Sequence, residues 1–369
     1  MYYYLGTFIS SLIFIYMAEK QFKRHKKIIF ILLSTIALFI PCWLAGIRGD
    51  TVGTDVMVYA IPQYNYAKSF SNFFVYSAFS GIEPLYSFLV FLCSKFNLGV
   101  SVLLFISQFL VILPLYIVGL KKIDQLSLTF FMFVYYFFFY HITLNMMRQS
   151  IACAFLMLAL IYFEEGNKKK CIILCALAFL SHSSSLIAIL LFFAFYYASN
   201  GRGSIVKKAV IVISAGFIAL DFQNIANFII NQLGFLPSEY YNRIINSMQT
   251  NTISSFDYIC RGCFVFLPFL LIFGKSTQGS RIRNYNFNSA MGYIFSLFAL
   301  ISQYLVRFSY FFQFMFLLTM PISVKKYTKN SAQRLMVYLA LIIGILVYWY
   351  IVYIGWGWYG TMPFVINNR

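Results

Sequence analysis

The feature that most restricts this chain is its succession of apolar runs, each about 17–20 residues long and nearly free of charge. Wound as a helix, a run of that length crosses roughly 30 Å of hydrocarbon. The runs are continuous rather than alternating, which excludes a transmembrane barrel. Only 10% of the 369 residues are charged while 61% are hydrophobic, too few charges to cover the surface of a soluble domain.

The runs fall near 2–19, 28–46, 100–119, 125–140, 146–163, 171–183, 184–199, 206–222, 257–274, 286–304, 307–324 and 335–355. They predict an all-α polytopic membrane protein of about 12 spans (roughly 11–13), forming a single transmembrane domain over 1–369. The first run has neither the basic leader nor the small-residue cleavage site of a signal peptide, so it is expected to remain as a span with its N-terminus outside. Two stretches interrupt the pattern, about 47–99 and about 223–256. Both are expected to be outer-face excursions carrying interfacial or re-entrant helices. The apolar segment at 83–96 belongs to the first, being too short to span.

The net charge of +18 invites a nucleic-acid reading, but its placement answers otherwise. Most lysines and arginines lie in 20–27, 121–122, 168–170, 202–208, 275–283 and 325–334, all cytoplasmic if the N-terminus is outside. The charge is a topology signal, and no nucleic-acid partner is expected. The seven cysteines read as small hydrophobes. Cys260 and Cys263 form a C-x-x-C without a second pair at zinc spacing, so no metal is expected.

Eight basic residues break the topology rule: Arg48, Lys68, Lys95, Arg148, Arg243, Arg261, Arg307 and Arg369. They are mostly arginines, whereas the loop charges are mostly lysines. Lysine suffices for a solvated charge; arginine grips a phosphate or carboxylate with a planar fork and stays charged when partly buried. Arg48, Arg148, Arg243, Arg261 and Arg307, drawn from distant segments to one face, suggest an anion site. The plainer alternative is separate pairing with Asp50, Asp55, Glu83, Asp221, Glu239 or Asp257. His182 falls in an outer turn among serines, where it is either a hydrogen-bonded turn residue or a proton carrier; His141 is a weaker candidate of the same kind. Tyr59, Tyr240, Tyr241, Tyr310 and their outer-side neighbours form an interfacial aromatic belt. Tyr240 and Tyr241, beside Arg243, also suit a sugar-stacking platform.

The order of several short motifs resembles the EpsG-like branch of Wzy polysaccharide polymerases. RGDTVGTDVMVY after the second run is similar to the family's R-x-x-x-VGTD-x-x-x-Y signature. EPLY follows some thirty residues on, then NMMRQSIACAF, FLSHSSSLI and VRFSYFFQF. The resemblance covers nearly the whole chain; the histidine turn begins here with leucine where phenylalanine is commoner. It implies a membrane-embedded glycosyltransferase of the GT-C type in the bacterial inner membrane, with its active site facing the periplasm. The partners implied are donor and acceptor oligosaccharides linked to undecaprenyl diphosphate, within the lipid bilayer, with room for a separate chain-length regulator.

Such a transfer needs cations for the departing diphosphate and a base for the acceptor hydroxyl. There is no D-x-D or acidic cluster, so arginines are expected in place of a metal, and no cofactor is required. Arg148 and Arg307 are assigned to the diphosphate first, then Arg48 and Arg261. Arg243, Tyr240, Tyr241 and Tyr310 are placed nearer the substrate sugars, and Gln149 and Asn145 beside Arg148. For the base, Asp55 ranks ahead of His182, Glu83 and Asp257, with the equal alternative that Asp55 is an ion-pair partner or helix cap. A flippase for the same lipid, an O-antigen ligase and an O-acyltransferase remain competing readings. The absence of internal repeats and of midplane charges speaks against the flippase.

Overall fold

The computed structural model describes residues 1–199, 206–207, 210, 214, 255–272, 280–296, 303–328 and 330–367. Most of the run at 206–222 and nearly all of the second excursion, with Arg243, Tyr240 and Tyr241, lie outside the described residues. Among the described residues every regular element is helical, apart from one isolated antiparallel bridge between Arg48 and Ile366. The chain divides into two compact units, Met1–Ser185 with Val324–Arg369, and Leu186–Ser323.

In the first unit, α1 (Tyr2–Lys23) and α2 (Lys27–Gly46) form a hairpin. Three short helices follow, α3 (Ile61–Lys68), α4 (Phe73–Phe79) and α5 (Pro84–Lys95). After them come α6 (Gly99–Lys121), α7 (Leu128–Val134), α8 (Tyr140–Asn145), α9 (Met147–Glu164) and α10 (Lys168–Ser181). Among the described residues, five helical stretches are long and apolar enough to cross a membrane: Lys27–Gly46, Gly99–Lys121, Leu128–Asn145, Met147–Glu164 and Ser331–Gly355. The described residues are thus those of a helical, polytopic membrane protein. At 12 residues α5 is about 18 Å long, too short to span, as its apolar run predicted.

Two of the five long stretches, Leu128–Asn145 and α9, are enclosed by protein along almost their whole length. Others keep bare apolar sides: Ile28, Leu32, Phe39 and Trp43 on α2, and Leu335, Met336, Ile343 and Val347 on the C-terminal stretch. Such faces suit hydrocarbon, since lipid is as good a neighbour for them as protein. Between helices the adhesive is polar and sparse. Ser11 Oγ donates to the Ala37 carbonyl at 2.7 Å and lies 2.7 Å from the Tyr136 hydroxyl; Ser34 and Tyr116 meet at 2.7 Å.

The predicted run at 125–140 continues to Asn145 and is interrupted by a π-helical turn over Tyr135–Phe139. The run at 307–324 is divided between Gln303–Gln313 and Phe316–Tyr327. The break follows a close approach at Gly292, where a Cβ would stand only 2.6 Å from the Gln313 nitrogen. The second unit also holds helices Ser185–Ser199, Ser255–Ile272 and Ser280–Ser296, with Phe192, Phe195, Phe295 and Phe312 at its core.

The direction of α9 defines two ends of the first unit, about 27 Å apart for its 18 residues. At its C-terminal end Lys122 pairs with Glu164 at 3.0 Å and Lys121 with Glu165 at 2.7 Å. Near that end Lys325 Nζ donates to the Asp124 carbonyl at 2.8 Å. The N-terminal end of α9 carries Arg148 and faces the turn that follows α2.

Candidate active site

The turn over 47–55 is held from two sides. A C-terminal strap pairs with it: Gly49 N donates to the Val365 carbonyl at 2.7 Å, Gly53 N to Gly360 at 2.8 Å, and Asn367 N to Ile47 at 2.8 Å. Gly53 adopts a φ of +84°, and a Cβ there would stand 3.0 Å from the Leu144 carbonyl, so both the conformation and the space call for glycine. On the other side lies the junction of α8 and α9. Arg48 Nη1 donates to the Leu144 carbonyl at 2.9 Å, and Nη2 lies 3.1 Å from Met147 Sδ. Asn145 Oδ1 accepts from the Thr54 nitrogen at 2.8 Å and from its hydroxyl at 2.5 Å.

Met146 leaves helical geometry (φ −109°, ψ 61°), so α9 starts with open backbone donors. Asp55 Oδ2 accepts one of them, the Met147 N–H, at 3.2 Å. The carboxylate therefore caps a helix 92 positions further along the chain, a through-space version of an N-cap. Asp55 makes no side-chain cap to the π-helical turn Val56–Ala60 that it begins.

Glu83 is the hub of the more open half of the site. It precedes Pro84 in extended conformation at the start of α5, which turns its carboxylate away from its own helix. Oε2 accepts from Arg148 Nη1, on the first turn of α9. Oε1 accepts from His182 Nδ1 at 2.7 Å and from the Ser183 nitrogen at 3.4 Å. His182 has left α10 in extended geometry (φ −160°, ψ 119°), and this exit lets its ring reach Glu83. The Arg148 guanidinium lies 4.4 Å from the centre of the Tyr59 ring, a cation–π contact. Burial raises the Glu83 carboxyl, but the His182 hydrogen bond and the charges of Arg148 and His182 outweigh it and hold the group at about 2.

The two arginines of this site differ in what they can reach. Arg48 is 1% exposed and has no ion pair within 4 Å among the described residues. The Arg148 side chain keeps 16% exposure and that of His182 27%. The remaining Arg148 donors and His182 Nε2 make no hydrogen bond among the described residues. With Nδ1 donating to a carboxylate, Nε2 is left as a proton acceptor on the open side.

Other sequence candidates fall elsewhere. His141 is fully buried, with Nδ1 2.7 Å from Thr361 Oγ1 and Nε2 accepting from Trp349 Nε1 at 2.8 Å. Both ring nitrogens are engaged, so His141 is a structural residue. Gln149 is buried on α9. Within the second unit, Arg261 Nε donates to Asp257 at 2.9 and 3.0 Å, and Nη1 to Gln313 Oε1 at 2.9 Å. The Tyr310 ring lies 6.0 Å from that guanidinium, and Arg307 is half-buried on the same helix as Tyr310.

Thr54, expected with Asp55 at the start of the next helix, donates to Asn145; Tyr59 as a seat for Arg148 and the C-terminal strap were not expected. Tyr59 carried a signal: it stands one helical turn after Asp55 in the VGTD-x-x-x-Y pattern. Nothing local in the strap announces its partner.

Among known protein families, the model of the EpsG family matches this chain over residues 31–365. Arg48, Asp55, Glu83, Arg148 and His182 all lie within that span. No curated protein and no solved structure matches the chain.

Proposed function

We propose that this chain, which belongs to the EpsG family, is a polysaccharide polymerase that joins repeat units carried on undecaprenyl diphosphate. The observation that carries the mechanism is the double use of Glu83. One oxygen holds Arg148 and the other holds His182, leaving the outer nitrogen of the imidazole and the spare donors of the guanidinium open.

In the proposed step, His182 Nε2 takes the proton of an acceptor sugar hydroxyl as its oxygen bonds to the anomeric carbon of the donor. The bond from that carbon to the diphosphate breaks, and its electron pair leaves with undecaprenyl diphosphate. Arg148 offers its unused donors to the charge that grows there. Glu83 holds the imidazole with Nε2 as acceptor, as a carboxylate does in other acid–base pairs. The geometry favours His182 over Asp55 as the base, because Asp55 is enclosed and already accepts from the Met147 N–H. Asp55 and Arg48 then act as positioning residues that fix the start of α9 and with it Arg148.

The GT-C assignment, the inner-membrane location and the periplasmic direction of the site rest on the family resemblance and on the placement of lysines away from the site. Arg261 and Arg307 remain in the proposal as further diphosphate ligands on sequence grounds, being arginines outside the lysine-rich loops. The test is incubation of the purified protein with synthetic undecaprenyl-diphosphate repeat units. A ladder of products without another acceptor, unaffected by a chelator, is expected. Transfer only to a lipid A core would make the protein a ligase, and vectorial movement of lipid without new glycosidic bonds would make it a flippase.

A further inference from the structure

The π-helical turn Val56–Ala60 sorts its residues in an unusual way. Val56 and Ala60 are fully buried, and Tyr59 turns in beneath the Arg148 guanidinium. Met57 and Val58 point out, each 58% exposed. A π turn carries one more residue per turn than the α-helix, and such turns recur at functional sites, where they redirect side chains. Here the result is an exposed apolar pair directly preceding, in sequence, the tyrosine that seats a guanidinium with free donors. A wholly polar ligand gains nothing from Met57 and Val58, and a wholly apolar one gains nothing from Arg148. The juxtaposition suits a molecule with an anionic head and a hydrocarbon tail.

Resting on the function proposed above, we infer that Met57 and Val58 form the surface over which the hydrocarbon chain of the lipid-linked substrate leaves the Arg148 centre. The first isoprene units would cover both side chains while the diphosphate meets the spare Arg148 donors. Charge complementarity at Arg148 selects this occupant over a protein partner. It also separates Met57 and Val58 from the bare apolar faces of the long helices, where bulk lipid is a sufficient neighbour.

The experiment measures binding of two ligands to detergent-solubilised full-length protein: undecaprenyl diphosphate and inorganic diphosphate. Met57→Asn with Val58→Asn should weaken undecaprenyl diphosphate about tenfold, the effect of exposing part of two apolar contacts. Inorganic diphosphate, which has no tail, should bind the double variant and the parent alike. Ile343→Asn, on a bare helix face distant in sequence, serves as the control and should leave both ligands unchanged. The inference is overturned if the double variant binds undecaprenyl diphosphate as tightly as the parent. It is overturned equally if inorganic diphosphate weakens by the same factor, or if Ile343→Asn has the same effect as the double variant. Failure of the polymerase reading looks different: no ladder forms, while the tail-dependent loss in the double variant persists.

Discussion

The two ends of the first unit solve the same problem, charge near a membrane, with different residues. At the C-terminal end of α9 the Lys122–Glu164 pair is closed in, with side chains 5% and 0% exposed. At the other end Arg148 and Glu83 pair with 16% and 14% exposure, and a histidine shares the carboxylate. An enclosed pair can do nothing but hold its neighbours, and its net contribution to stability is small against the cost of taking both charges out of water. An open pair with spare donors and an oriented imidazole can meet a ligand. Exposure therefore separates the enclosed end from the end proposed for chemistry, and charge alone does not.

The comparison is broken most severely by His182→Ala. Loss of the proposed base should lower the rate of chain extension by about 10²–10⁴-fold, read as ladder formation per mole of folded protein. A purely structural histidine would instead lower the amount of folded protein and leave the rate per mole of folded protein unchanged. Next in size is Glu164→Gln at the opposite end, which removes the carboxylate charge that the buried Lys122 pairs with at 3.0 Å. This should cost about 3–5 kcal/mol of stability, seen as a lower melting temperature in detergent, with extension by the surviving folded protein unchanged.

Arg148→Lys keeps the charge but loses the fork of donors and the guanidinium contact with the Tyr59 ring. Extension should fall about tenfold, the size of one charge-assisted hydrogen bond, with protein level in the membrane maintained; unchanged long polymer would remove Arg148 from the site. The smallest effect concerns pH. The folded Glu83 carboxyl is held at about 2 against an ordinary 4.5, so ionised Glu83 favours the folded state above pH 4.5. That contribution is lost as pH falls from 4.5 towards about 2, and Glu83→Gln should flatten thermal stability over that window.

The class of protein was readable from the sequence because a helix must be about 20 residues long to cross hydrocarbon. The apolar runs mark α2, α6 and α9 nearly to the residue. The arginine exceptions were readable for a related reason: a charge outside the lysine-rich loops has to find a partner. What stayed hidden was who meets whom. Glu83 and His182 lie 99 positions apart and Asp55 and Met147 lie 92 apart, and no local pattern specifies either pairing. Asp55 shows the gap well. Thr54 and Asp55 look like the cap of the helix that follows them, yet the carboxylate caps α9 instead, because Met146 breaks the helix there and frees a backbone donor. The π turns were equally invisible, since a helix with one extra residue keeps the same apolar composition.

The strap over the 47–55 turn also sets the order in which the site comes into being. Residues 47, 49 and 53 are made early, but their backbone partners at 360–367 leave the ribosome on the order of half a minute later at ordinary elongation rates. Until then the turn that presents Arg48 and Asp55 lacks one of its two anchors, and α9 lacks a secured cap. The nascent protein is thus expected to enter the membrane with the proposed catalytic end unfinished. Completion of the fold and onset of activity become a single late event in its biogenesis.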